Sequence, residues 1–201
     1  YSDNGTHTEV VSKLRDGRDI RGGKATSKQT GIHVPLIAYN PAHIAPGIND
    51  SLIDSSDFLV TLLDLAGSEL PRETETDGIS FAPQLFGQEG EQREAAFFWY
   101  DPRPGWDKER FQRHVFALNK DYKLFRNGRL YRLTDRPLEE IEVDPLTMSE
   151  QDQTAKEQLG EFIEATMSGV SEPPLIDAYG KPEFDLLYLP KSKEETAKRT
   201  R

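Results

Sequence analysis

Between residues 95 and 133 four short apolar runs follow one another: Ala95-Ala-Phe-Phe-Trp-Tyr100, Arg113-His-Val-Phe-Ala-Leu118, Tyr122-Lys-Leu-Phe125 and Leu130-Tyr-Arg-Leu133. Each is too short for a stable helix and rich in the aromatic and β-branched residues that fit a pleated surface. Asn127-Gly128 lies between the last two, where a type I′ turn wants positive φ at both central positions, so an antiparallel hairpin and a three- or four-stranded meander are predicted. The period then changes. Ser149-Glu-Gln-Asp152 has the spacing of a capping box, and Ala155, Leu159, Phe162 and Ile163 form one apolar stripe on the helix that follows, predicted to cover the small sheet.

Upstream the pattern differs. Asp54-Ser-Ser-Asp57 offers helix caps, and Phe58, Leu59, Leu62, Leu63 and Ala66 recur at helical spacing until Gly67, which predicts a helix over 56–66. Val34-Pro-Leu-Ile-Ala-Tyr39 reads as a short buried strand with Pro35 near its start, residues 8–30 as a polar loop, and residues 68–93 as a long connection. The polar run Ser2-Asp-Asn-Gly-Thr-His7 is of the kind that follows a strand, yet only Tyr1 precedes it, so a truncated amino-terminal side is expected. From Gly169 onward, prolines and charged residues predict an extended tail over 169–201.

With 35% hydrophobic and 30% charged residues, the chain reads as a water-soluble, loop-rich globular protein. Its formal net charge of −10 argues against general nucleic-acid binding. No stretch approaches the roughly 20 apolar residues that span a bilayer, so no membrane insertion is expected. The absence of cysteine removes disulfides and thiolate metal sites.

Asp3 and Asn4 would offer the hard oxygen atoms that calcium or magnesium prefers, although Ser-Asp-Asn-Gly is also an ordinary turn. Gly22-Gly-Lys24 could let backbone approach an anion beside a cation, or be a solvated loop. His7 could donate a proton near the same site or be a polar loop residue. Trp99, Tyr100 and Trp106, beside Pro102 and Pro104, could wall a sugar ring or pack the small sheet, and His43 and His114 show no partner pattern.

Taken in order and spacing, Ser2-Asp-Asn-Gly5, Gly22-Gly-Lys24, Gly31-Ile-His-Val-Pro-Leu-Ile37, Leu62-Leu-Asp-Leu-Ala-Gly67 and Asp77-Gly-Ile-Ser-Phe81 closely resemble the second half of the arylsulfatase-like enzymes of the alkaline phosphatase superfamily. Leu130-Tyr-Arg-Leu-Thr-Asp-Arg-Pro137 is similar to a segment of that family's carboxy-terminal subdomain, so the likeness covers about residues 2–168. It implies a piece of an α/β sandwich over 1–90, a small α+β subdomain over 91–168 with an antiparallel sheet and one packed helix, and the tail beyond. It further implies one divalent cation, usually calcium, with Asp3 and Asn4 among its ligands, Lys24 on the sulfate ester, His7 facing the site and His33 near the substrate. Asp-Asn offers oxygen only, which suits calcium rather than the zinc of the superfamily's phosphatases.

Departures matter too. The family's nucleophile is a Cys or Ser in a Cys/Ser-x-Pro-x-Arg motif, converted to formylglycine; the chain has no cysteine and no Ser-x-Pro-x-Arg, so alone it is expected to be inactive. His33 stands where many relatives have Arg, and Arg132 replaces a common Asp, a change expected to touch only the surface. The partners implied are a sulfated small molecule or polysaccharide and the missing amino-terminal half; the location implied is periplasmic or secreted. Two rivals remain: a phosphonate or phosphodiester hydrolase of the same superfamily, and a non-catalytic binding module with vestigial residues.

Overall fold

The computed structural model describes residues 1–101 and 113–171. Trp106, Pro102, Pro104 and the expected tail from residue 172 lie outside the described residues. In chain order the elements are strands β1 (Val11–Lys13) and β2 (Asp19–Arg21), helices α1 (Gln29–Ile32), α2 (Asp57–Leu65) and α3 (Ala82–Leu85), strands β3 (Ala96–Tyr100), β4 (His114–Leu118), β5 (Tyr122–Phe125), β6 (Leu130–Leu133) and β7 (Glu140–Glu142), and helix α4 (Glu150–Met167).

Strands β3 to β7 form a five-stranded antiparallel sheet in sequence order, larger than the three- or four-stranded meander predicted. Alternation along the strands divides its residues between two faces. On one face Val115, Ala117, Tyr122, Leu124 and Leu130 join Ala155, Leu159, Ile163 and Met167 of α4 in the buried core, with Phe97, Trp99 and Phe162 packed against it. At the start of α4 the expected capping box is present: Asp152 N donates to Ser149 Oγ at 3.2 Å, and Ser149 N donates to Asp152 Oδ2 at 2.7 Å. These bonds satisfy donors that would otherwise be orphaned at the helix start.

Asp152 does more than cap. Its buried carboxylate also accepts from Tyr122 Oη at 3.1 Å and from Arg132 through Nε at 2.7 Å and through Nη2. Arg132 therefore does not merely touch the surface as expected; it clasps β6 to the helix cap. The reason is register, because Arg132 pairs with Tyr122 across β5 and β6 and so shares the face covered by α4. The Arg132 guanidinium, followed by the Ser149 donors, holds the Asp152 carboxyl well below the ordinary carboxylate range.

The β5–β6 hairpin is present, but only Gly128, with φ of +88°, has positive φ in its turn. Gly128 N donates to Phe125 O at 2.8 Å and Phe125 N donates to Arg129 O at 2.9 Å. That is a type I turn closed by a glycine bulge rather than the type I′ turn predicted.

Helix α2 lies where predicted and ends at Gly67, with φ of +63°. Its buried residues, however, are Asp57 and Thr61, while Leu59, Leu62 and Leu65 are exposed. Hydrogen bonding accounts for the difference: Asp57 accepts from Asp54 N at 2.7 Å, from Ile79 N at 2.7 Å and from Arg93, and Thr61 Oγ1 accepts from Phe81 N at 3.0 Å. These bonds dock residues 77–81 on the polar side of the helix. Residues 34–39 form no strand, and Ile37 and Tyr39 are exposed, so the buried strand predicted there is corrected. Residues 8–30 hold the β1–β2 hairpin and the start of α1 rather than a plain loop, and α3 interrupts the 68–93 connection.

Candidate functional site

Glycines set the geometry of residues 2–33. Gly5 N donates to Gly31 O at 2.9 Å, Lys24 N to Thr6 O at 3.0 Å, and Gly22 N to Val10 O at 2.9 Å. A Cβ on Gly5 would overlap Thr30 O, one on Gly22 would overlap Thr6 O and His7 O, and one on Gly31 would overlap Gly23 O and Thr26 O. Only chains without side chains at these points can cross so closely. The result is that the Asp3-Asn4 turn, the Gly22-Gly-Lys24 segment and α1 lie against one another, and the β1–β2 hairpin is the excursion that returns Lys24 to Thr6.

Asn4 Nδ2 donates to Asp3 Oδ2 at 2.6 Å, which fixes the two side chains side by side and uses the amide nitrogen rather than its oxygen. Two hard oxygen-bearing groups held together suit calcium, although calcium takes about six to eight oxygens. Among the described residues no group of three or more His, Cys, Asp or Glu comes together as a metal cage. Lys24 is exposed, and no hydrogen bond or ion pair holds its ammonium among the described residues. His7 is exposed, its Nδ1 accepting from Glu9 N at 3.2 Å; His33 Nδ1 lies 3.1 Å from Gln29 Oε1, one turn back on α1. The pair Trp99 and Tyr100 does not form one wall, because neighbours on a strand face opposite ways: Trp99 packs on the core beneath α4 and Tyr100 reaches the site side.

That second sheet face carries what sequence alone missed. Tyr100 Oη donates to Ala25 O at 2.7 Å, Lys123 Nζ to Ser27 O at 3.1 Å, and Gln29 N to Glu140 Oε2 at 3.2 Å; Lys123 and Glu140 also form an ion pair. Ser27 Oγ lies 3.3 Å from His114 Nδ1. Burial pushes the Lys123 ammonium below its ordinary value while Glu140 pulls it back, and burial, then the nearby Arg129 and Lys123 charges, lowers His114. Burial raises the Tyr100 phenol. A signal was present in Tyr122-Lys-Leu-Phe125, where a lysine stands among apolar residues of a buried strand.

The five-stranded antiparallel sheet covered by one helix is the part of the chain that the comparisons with known proteins address. The family model described as "N-sulphoglucosamine sulphohydrolase, C-terminal" matches residues 24–170, and the chain belongs to that family. Arylsulfatase A of Homo sapiens is 39% identical over 117 residues, 58% of this chain and 22% of that protein. An uncharacterized sulfatase, YdeN, of Escherichia coli is 28% identical over 210 residues, 87% of the chain and 35% of its own length. The ulvan-active sulfatase of Formosa agariphila is 30% identical over 158 residues, 78% of the chain and 28% of its own length. The chain thus spans about a fifth to a third of the length of these relatives.

Proposed function

We propose that the intact protein hydrolyses sulfate esters and that this chain supplies part of the sulfate and metal site. The observation that carries it is the glycine crossing, in which Gly5 N to Gly31 O and Lys24 N to Thr6 O bring the Asp3-Asn4 turn and Lys24 together. Asp3 and Asn4 would hold a calcium ion through oxygen. When bound, that ion would withdraw charge from the ester oxygens. Lys24, whose backbone is held by Thr6 O and whose ammonium has no partner among the described residues, binds the sulfate group and offsets the charge that develops on its oxygens as the ester bond breaks. His7, three residues beyond Asn4, would give a proton to the leaving alkoxide, and His33, at the end of α1, would contact the substrate.

On this reading residues 1–90 are the edge of an α/β sandwich completed by preceding chain, the nucleophile lies in that preceding part, and the 201 residues alone do not turn over substrate. The substrate is a sulfated small molecule or polysaccharide, met outside the cytoplasm. The test is hydrolysis of p-nitrophenyl sulfate against p-nitrophenyl phosphate by the full-length protein, wild type and with Asp3→Ala or Lys24→Ala. Sulfate turnover that falls by about 10²-fold or more in both variants supports the roles. Turnover indifferent to both, or a preference for the phosphate, overturns them.

A further inference from the structure

We infer that Tyr100, Lys123 and Glu140 are positioning residues for Lys24, so that the outer face of the five-stranded sheet sets the place of the sulfate-binding ammonium. This rests on Lys24 having the role given above.

Upstream, the backbone of Lys24 is fixed by its bond to Thr6 O at 3.0 Å. Downstream it enters Ala25, whose φ of +62° is left-handed. That conformation costs a residue with a Cβ something and persists only where the surroundings impose it. The sheet imposes it. Tyr100 holds the carbonyl of residue 25, Lys123 that of residue 27, and Glu140 the amide of residue 29, at 2.7, 3.1 and 3.2 Å. Every one of these bonds goes to a backbone atom, so what the sheet dictates is the path of residues 25–29 whatever side chains they carry. The register puts the three groups on one face: Tyr100 pairs with His114, Lys123 with Tyr131, and Glu140 with Leu133, all at positions alternate to those that pack on α4.

The Lys123–Glu140 pair is informative in itself. Lys123 is 1% exposed, and a buried ion pair adds little stability over well-packed apolar residues of similar size. Its gain is specificity: it presents one donor and one acceptor, two residues apart on the segment, which apolar side chains could not. None of the three groups needs to touch substrate to do this.

The experiment uses the full-length enzyme with p-nitrophenyl sulfate. Tyr100→Phe removes one hydroxyl and keeps the ring against His114; Glu140→Gln keeps an oxygen for the residue 29 amide but removes the charge facing Lys123. Each is expected to lower kcat/KM roughly five- to tenfold, Tyr100→Phe with a thermal midpoint within about 4 °C of wild type and Glu140→Gln with a larger drop, because the buried Lys123 charge loses its carboxylate. In a Lys24→Ala background the same substitutions should change kcat/KM less than about twofold, because the group they position is gone. If turnover by Lys24→Ala is too low to follow, the affinity for inorganic sulfate, by calorimetry, is compared across the same variants with the same expectation. Wild-type kcat/KM in both single variants, alongside a collapse in Lys24→Ala, overturns the positioning role and leaves the site reading standing. A loss that persists undiminished without Lys24 overturns it too, since the sheet would then act elsewhere. No effect of Lys24→Ala overturns the site reading and this inference with it.

Discussion

Replacing Asp57 by Ala should be among the most damaging single changes outside the core. Asp57 is 2% exposed and faces Arg93, whose side chain is 9% exposed, and it accepts from Arg93 Nε at 3.1 Å, from Arg93 Nη2, and from two backbone amides, Asp54 N and Ile79 N, each at 2.7 Å. Removing one partner of a buried pair costs about 3–5 kcal/mol, because the other charge stays behind without compensation. Arg93 would keep Asp77 O at 2.7 Å and Ser56 Oγ at 3.3 Å, which argues for the lower end. The two amides left without an acceptor add roughly 1–3 kcal/mol apiece where water cannot reach them, which argues for the upper end. We expect about 4 kcal/mol, or a thermal midpoint about 10 °C lower. Urea unfolding followed by far-ultraviolet circular dichroism measures it, with Arg93→Ala and the double variant completing a cycle whose coupling should exceed about 1 kcal/mol. A loss under about 1 kcal/mol would refute the reasoning, since that is the scale of a solvent-screened surface pair.

Gly160 lies inside α4, and a Cβ there would meet only Leu124 Cδ2, at an ordinary 3.7 Å, so Gly160→Ala should stabilise by about 0.5–1 kcal/mol in the same urea assay. Gly31→Ala should do the reverse: its Cβ would overlap Gly23 O and Thr26 O, and, on the function proposed above, p-nitrophenyl sulfate turnover by the full-length protein should fall with little change in circular dichroism. His114 titrates lower folded than unfolded, so between the two values the unfolded chain binds more protons. Stability is therefore full above about pH 6.5 and falls as acid protonates the ring; urea midpoints at about pH 7.5 and about pH 5 should differ less in His114→Gln than in wild type. Asp152 obeys the carboxylate rule: its folded value is depressed, so its contribution is present above about pH 3.8 and lost as pH falls further, and Asp152→Asn should flatten the acid limb of the unfolding curve.

What the sequence made legible was local. The capping box at Ser149, the stripe on α4 and the apolar runs of β3 to β6 are each written in a few neighbouring residues, and each appears where expected. Strand β7, Glu-Ile-Glu, carries no such signal; it exists because Tyr131, Arg132 and Leu133 of β6 provide a paired edge. Residues 34–39 show the opposite case, an apolar run without a ladder partner among the described residues. The turn at Gly128 was misjudged in type because Asn-Gly is compatible with two hairpin geometries and only the flanking register decides between them. At the site, the residue types Asp3, Asn4 and Lys24 could be chosen from their chemistry, but the bonds that bring them together span 18 to 26 residues and depend on glycines whose role is steric.

The two faces of one strand separate two kinds of consequence. Along β5, Tyr122 and Leu124 face α4, whereas Lys123 and Phe125 face the 25–29 segment and its aromatic neighbours. The ionic groups follow the same division. Arg132 and Asp152 join the sheet to its covering helix, so their loss should appear as stability. Lys123 and Glu140 join the sheet to the loop behind Lys24, so the part of their loss that stability does not explain should appear as turnover. Sequence alternation alone places these neighbours on opposite faces, but only the contacts say which face holds the fold and which holds the site. A substitution in this sheet should therefore be judged by its parity along the strand before its chemistry. Arg132→Ala and Tyr100→Phe, on opposite faces of the sheet, are expected to part company: the first lowers the urea midpoint with kcat/KM unchanged, the second lowers kcat/KM roughly five- to tenfold with the midpoint nearly unchanged. If both variants moved the same observable, the division of labour between the faces would be wrong.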